Sequence, residues 1–416
     1  MKFTTGTGRR PIFLAVTASI MALSLAACQT DAPPPAPPPP PPASAGPPVS
    51  LAPAISDAAS VYVAYVEQAR GMSPDFNDAS MVQAKLSQGA SYEPKQLARG
   101  AIAYAAIVAM QEPAFRSQLR AYAADATARQ ELVTKLFSNP GYAAGIPGAN
   151  IAARRVILAL SSDGEMLYTK GTAMKQAAYA IQKQAWSKGV LSDPAGRLAA
   201  TKLSSSTNRG VVSDQSAKLL TAALTGEGLT TRANTGGATA DAAAYNATAS
   251  SGSAAQPLSS TGTAAGSFDH EALFNTPYTY GVNRALAIAA ISILGEGTGP
   301  NEEAVIALLN EQKAPRCLGE SKLNLNQCLA ASRFHFDDVF CVGQHIMMDT
   351  GNCIGELSSN ALNLSPDREV TLKADGTEEL KYANAKPYLK PEPVKKTASK
   401  KTSGKKASTT AKKKSS

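Results

Sequence analysis

The chain has 416 residues, and 41 Lys and Arg against 32 Asp and Glu give it a net charge of +9. Nine lysines (Lys395, Lys396, Lys400, Lys401, Lys405, Lys406, Lys412, Lys413 and Lys414) fall in residues 393–416, which hold no acid, and Lys2, Arg9 and Arg10 open the chain. The stretch between these ends is near neutral, which excludes a uniformly basic body as the source of the high isoelectric point.

An apolar run extends from Ile12 to Leu25 and stops at Ala26-Ala27-Cys28. It is shorter than the roughly 20 residues of a membrane-spanning helix, and an ordinary secretory cleavage site makes no use of a cysteine. The order Leu25-Ala26-Ala27-Cys28 resembles the lipobox of bacterial lipoprotein precursors. The resemblance covers only the first 28 residues, and beyond it the sequence suggests no family. It implies that residues 1–27 are a removed signal peptide, that the Cys28 thiol carries a diacylglyceryl group and that the new amine is acylated. Chains worth about 0.8 kcal/mol per buried CH₂ would then hold the mature N-terminus on a membrane. By the same resemblance, Gln29 in place of an inner-membrane-retaining aspartate implies the outer membrane, with the body facing the periplasm. Arg9-Arg10-Pro11-Ile12-Phe13 loosely resembles a twin-arginine export signal, though ordinary charge before an apolar run accounts for it.

Residues 28–53 read as a linker: Pro33 to Pro35, Pro37 to Pro42 and Pro47-Pro48 favour polyproline II, which rises about 3.1 Å per residue and can act as a spacer on the order of 70 Å long. A helical domain is expected over 54–225. Ile55, Ala58, Ala59, Tyr62 and Val66 share one helical face, with Ser56 or Asp57 as N-cap. Further helices are expected over Asp78–Leu86 and Pro94–Gln111, and another from Pro113 through Phe115, Leu119 and Tyr122. Asn139-Pro140-Gly141 breaks the chain. A long helix then runs from Asn150 to Trp186, with a candidate break at Ser161-Ser162-Asp163-Gly164. Asp193-Pro194 has the form of an N-cap followed by proline at the first helical position.

Residues 226–267, made of Gly, Ala, Ser and Thr, cannot bury enough surface to offset their ordering entropy and read as disordered. Helical pattern returns over Tyr280–Leu294 and Glu302–Leu309, within a disulfide-stapled segment expected over 268–365. Residues 366–416 read as an extended, Lys-rich disordered tail. No convincing series of alternating β-branched strands is present, so the fold class is all-α. The short second helical segment favours one domain over two.

With Cys28 lipidated, Cys317, Cys328, Cys341 and Cys353 remain, an even set that in an exported protein reads as two disulfides. Nested pairing (Cys317 with Cys353, Cys328 with Cys341) suits two antiparallel segments turning near Phe334-His335-Phe336, with Asp337 or Asp338 capping the second. Sequential pairing is nearly as compatible with the spacing. A zinc site using Cys341 and His345, with Cys328 and His335 nearby, is the alternative, weakened by the lack of a Cys-x-x-Cys pair.

Catalytic motifs are missing: there is no H-E-x-x-H, G-x-S-x-G or phosphate loop. Gly295-Glu296-Gly297-Thr298-Gly299 lacks the loop lysine and reads as a helix C-cap and turn. Gly319-Glu320-Ser321 superficially resembles the Glu-Ser pair of helical lytic transglycosylases, without their glycine/glutamine motif. Asp163, Glu165 and Asp349 show no partner in the sequence, and His270 borders the low-complexity segment. These features lean away from an enzyme, imply no cofactor or metal, and suggest a structural, assembly or binding role. The alternative is an envelope enzyme or metal-binding protein working through the Cys/His-containing segment. The membrane is the expected partner through Cys28, and an anionic envelope polymer or lipid through the lysine tail, at about 1 kcal/mol per lysine near such a surface. Export argues against chromosomal nucleic acid, and no protein partner is specified.

Overall fold

The computed structural model describes residues 46–229, 272–362, 364, 368–372 and 378–382. Cys28, the proline runs before residue 46, most of the low-complexity segment, His270 and the lysine tail lie outside the described residues.

The first eight helices are α1 (Pro53–Gly71), α2 (Ala79–Ala90), α3 (Pro94–Met110), α4 (Pro113–Ala123), α5 (Ala126–Ser138), α6 (Ala149–Ile181), α7 (Pro194–Ser206) and α8 (Ser213–Thr225). After the low-complexity segment come α9 (Tyr280–Ile293), α10 (Glu302–Ala307), α11 (Lys313–Ala331), α12 (His335–Cys341), a π-helical stretch (Val342–Met348) and α13 (Asp349–Ser358). The fold is all-α, with one two-stranded antiparallel hairpin after the helices: β1 (Arg368–Leu372) pairs with β2 (Glu378–Tyr382), Arg368 opposite Tyr382. That hairpin lies inside the stretch expected to be an extended tail. Its signal was two short runs around Asp375-Gly376, a dipeptide that favours tight turns.

The helix starts follow from local chemistry. Asp78, Glu93, Asp125, Asp193 and Thr279 each accept a backbone N–H of the first turn. Such a side chain satisfies one of the donors that a helix leaves free at its start. Proline opens α1, α3, α4 and α7, where a missing N–H costs nothing. Helix α1 departs from expectation, because it starts at Pro53 with Ala52 before it and no side-chain cap. Ser56 and Asp57 instead meet the Ser216 hydroxyl, at 3.1 and 2.6 Å, and so tie α1 to α8. The end of the proline linker is also part of the body. Leu51 and Ala52 are buried, and the Ser50 N–H donates to the Ser292 carbonyl at 3.0 Å.

One core takes residues from both sides of the low-complexity segment. Every residue of α3 from Gly100 to Met110 is buried, and α9 buries all from Ala285 to Ile293. The two alanine-rich helices pack on each other, with α1, α6 and α11 around α3. Alanine gives little area per residue, so Ile102, Ile107, Leu286, Ile288 and their like carry most of the apolar drive, each worth about 1.5–3 kcal/mol when fully buried.

The long helix α6 is unbroken where the sequence suggested a break. Gly164 is there for a close approach, since a Cβ on it would sit 2.8 Å from the Gly351 carbonyl oxygen. Seven positions on, a Cβ on Gly171 would sit 2.5 Å from the Gly343 carbonyl oxygen. The facing glycines are eight positions apart, which in a regular helix would rotate one about 80° off the shared face. The π-helical stretch Val342–Met348 contains Gly343 and leads towards Gly351, and its wider turns absorb the extra residue. Two backbone crossings thereby stay in register.

Candidate functional site

Helices α11, α12 and α13 carry all four described cysteines. Cys317 pairs with Cys353 and Cys328 with Cys341, with Cα separations of 5.6 and 5.8 Å. The pairing is nested: the bridges staple both ends of an antiparallel helix pair that turns at residues 332–334. Closing loops of 36 and 13 residues removes chain entropy worth about 4 and about 3 kcal/mol. The turn is built around Asp337, whose Oδ2 accepts the N–H groups of Arg333 and Phe334 at 2.9 and 3.0 Å.

The residues proposed for zinc are differently employed. Cys341 is fully buried in its disulfide. His345 Nδ1 lies 2.8 Å from Asp349 Oδ2, and Asp349 Oδ1 accepts from Gln344 at 3.1 Å. Gln344 in turn accepts from Lys175 at 2.6 Å. Among the described residues no group of three His, Cys, Asp or Glu side chains could hold a metal ion. The Ser321 hydroxyl donates to the backbone carbonyl of His345 at 2.6 Å rather than to its ring, so this His–Asp pair is not joined to that serine as a nucleophile–base pair. Ser321 faces inward while the Glu320 side chain is 61% exposed, so neighbouring positions on α11 turn the Glu-Ser pair to opposite sides.

Asp163 and Asp349, which show no partner in the sequence, have one in the fold. Asp163 accepts from the Tyr62 hydroxyl at 3.1 Å and lies 3.6 Å from Arg70, while Asp349 holds His345. The Gly295–Gly299 stretch is the expected turn: Gly295 has a φ of 85°, the left-handed conformation that favours glycine after a helix. Glu296 within it pairs with Arg129 at 2.8 Å.

Two buried charged groups were not foreseen. Arg197 on α7 meets both carboxylate oxygens of Asp338 on α12 and donates to the Leu329 carbonyl at 2.7 Å. The pair borders a cavity of about 360 Å³ with Ser192, Asp193 and His335. Loss of hydration raises the Asp338 carboxyl, and the Arg197 charge opposes that shift. Lys322 on α11 is also buried. Its ammonium reaches the Ala90 carbonyl and the Ser205 hydroxyl and lies 3.4 Å from the centre of the Tyr92 ring. Desolvation pushes it well below its ordinary 10.5, with Glu93 opposing weakly. Arg197 joins α7 to α11 and α12, and Lys322 joins α2 and α7 to α11.

A second cavity, about 390 Å³, lies beside the Cys317–Cys353 bridge. Glu311 at its edge is committed to the start of α11, accepting the N–H groups of Lys313 and Ala314 at 2.6 and 2.7 Å. Thr279, also on the wall, donates to the Leu357 carbonyl at 2.6 Å. These polar groups hold the walls together.

Comparison of the chain with protein-family models, with curated proteins and with solved structures finds no match in any of the three.

Proposed function

We propose that this chain is a membrane-anchored envelope lipoprotein with a non-catalytic structural, assembly or binding role. Its body faces the periplasm from the outer membrane, and its lysine-rich tail contacts an anionic envelope component. The observation that carries this reading is Cys28 at the end of the Ile12–Leu25 apolar run, preceded by Leu25-Ala26-Ala27. Two disulfides in a chain of this size agree with an oxidising compartment, because cytosolic thiols are kept reduced. No helix among the described residues is long and apolar enough to cross a membrane.

The tail supplies nine positive charges without an acid or an aromatic between residues 393 and 416, a composition that neutralises phosphates and carboxylates without stacking on bases. The experiment is cell fractionation of Cys28→Ser beside the native chain. The native protein is expected in the outer-membrane fraction and the variant in the soluble periplasm. Identical fractionation of the two would defeat the reading.

A further inference from the structure

The cavity beside the Cys317–Cys353 bridge has walls that the fold fixes. They are the start of α9, the start of α11 and the end of α13. The bridge joins α11 to α13, and the Thr279 hydroxyl joins the start of α9 to the Leu357 carbonyl of α13. At about 390 Å³ the cavity falls within the roughly 300–1,000 Å³ of small-molecule sites. Fixed walls lower the ordering cost that binding would otherwise carry.

Wall chemistry narrows the ligand. Glu311 and Glu356 against Lys313 leave one negative charge in excess, which opposes an anion, and the Lys313 ammonium on the same walls opposes a cation. The wall groups that the fold leaves over are uncharged. Asn283 Oδ1 is buried and accepts no hydrogen bond, although Nδ2 of the same side chain donates to the Tyr278 carbonyl at 3.2 Å. The side chains of Tyr280 and Asn360 are exposed and make no hydrogen bond among the described residues. Together these three offer donors and acceptors without charge, beside a tyrosine ring that is 76% exposed.

We propose that this cavity binds an uncharged pyranose sugar. Ring hydroxyls both donate and accept, so they suit the Asn283 oxygen, the Asn360 amide and the Tyr280 hydroxyl together. The apolar C–H face of the sugar suits the exposed Tyr280 ring. Such binding needs neither an acylated Cys28 nor the lysine tail, so its failure and that of the envelope reading are distinguishable.

The mature chain (residues 28–416) carrying Cys28→Ser, with both disulfides formed, is titrated with cellotriose, maltotriose and tri-N-acetylchitotriose. Trigalacturonate and the trimer of glucosamine serve as anionic and cationic counterparts. Saturation-transfer NMR and calorimetry are expected to show binding of at least one uncharged trisaccharide, and weaker binding of both charged ones. Tyr280→Ala and Asn360→Ala, at exposed positions, should leave the circular dichroism unchanged. They should weaken the binding by about tenfold and about fivefold, from loss of the ring contact and of a hydrogen bond. No binding of any uncharged trisaccharide would overturn the proposal. So would binding indifferent to Tyr280→Ala, or a charged trimer bound as tightly as the uncharged ones.

Discussion

The crossing of α6 with the α12–α13 rod makes a prediction whose sign separates local propensity from packing. Replacing glycine by alanine inside a helix ordinarily stabilises by about 1 kcal/mol, because the unfolded chain loses freedom and the helix gains a better former. Gly319 on α11 should behave so, since a Cβ there meets nothing within 4 Å. At Gly164 the new Cβ would lie 2.8 Å from the Gly351 carbonyl oxygen and 3.0 Å from the Gly355 nitrogen, and at Gly171 2.5 Å from the Gly343 carbonyl oxygen. These are backbone atoms of another helix and cannot swing aside. Restoring a contact of about 3.4 Å requires the helices to part by more than half an ångström, and a gap of 0.5–1 Å forfeits roughly a quarter to a half of each dispersion contact. Leu167, Met174, Met347 and Ile354, all buried on these helices, would feel it. Overpacking of this kind costs about 1–3 kcal/mol net of the propensity gain. Urea unfolding of the oxidised protein, read as a midpoint shift at constant slope, should show Gly164→Ala and Gly171→Ala less stable and Gly319→Ala more stable than the native chain. If all three shift the same way, the account of the crossing is wrong.

Two further predictions concern the buried charges. Lys322 is held well below 10.5 by desolvation, so between its folded value and 10.5 the unfolded chain binds a proton that the folded one does not. Stability from this group therefore rises with pH across that window and is lost below it. Lys322→Met should raise the unfolding midpoint at neutral pH and flatten its rise as the pH climbs towards 10.5, and an unchanged pH profile would contradict this. For the Arg197–Asp338 pair, Asp338→Leu or Arg197→Met alone should cost about 3–5 kcal/mol by stranding a buried partner, whereas the two substitutions together should cost far less. A double-mutant cycle in urea checks it, and additive losses would refute the coupling.

Much of the fold was legible because its signals are local. Asp78, Pro94, Pro113 and Asp193-Pro194 mark helix starts, and each does so through a hydrogen bond or a fixed φ that needs only neighbouring residues. Nested cysteine pairing is favoured by the symmetry of spacing about Phe334-His335-Phe336, and the turn falls at residues 332–334, just ahead of that centre. What could not be read depends on residues distant in sequence. Gly164 resembles a breaker until Gly351 lies against it. Arg197 and Asp338 are 141 residues apart, and nothing local marks either as paired. Helix α5 buries only Leu132, Val133 and Leu136, too sparse an apolar pattern to stand out in the sequence. Asp375-Gly376 stands among polar residues, which hide the hairpin in the sequence.

The account depends most on acylation of Cys28, and intact mass of the protein purified from native membranes tests that directly. The expected mass is that of residues 28–416, less four hydrogens for two disulfides, plus a diacylglyceryl group and an amide-linked acyl chain. A chain that retains residues 1–27, or one whose Cys28 carries no lipid, would contradict it.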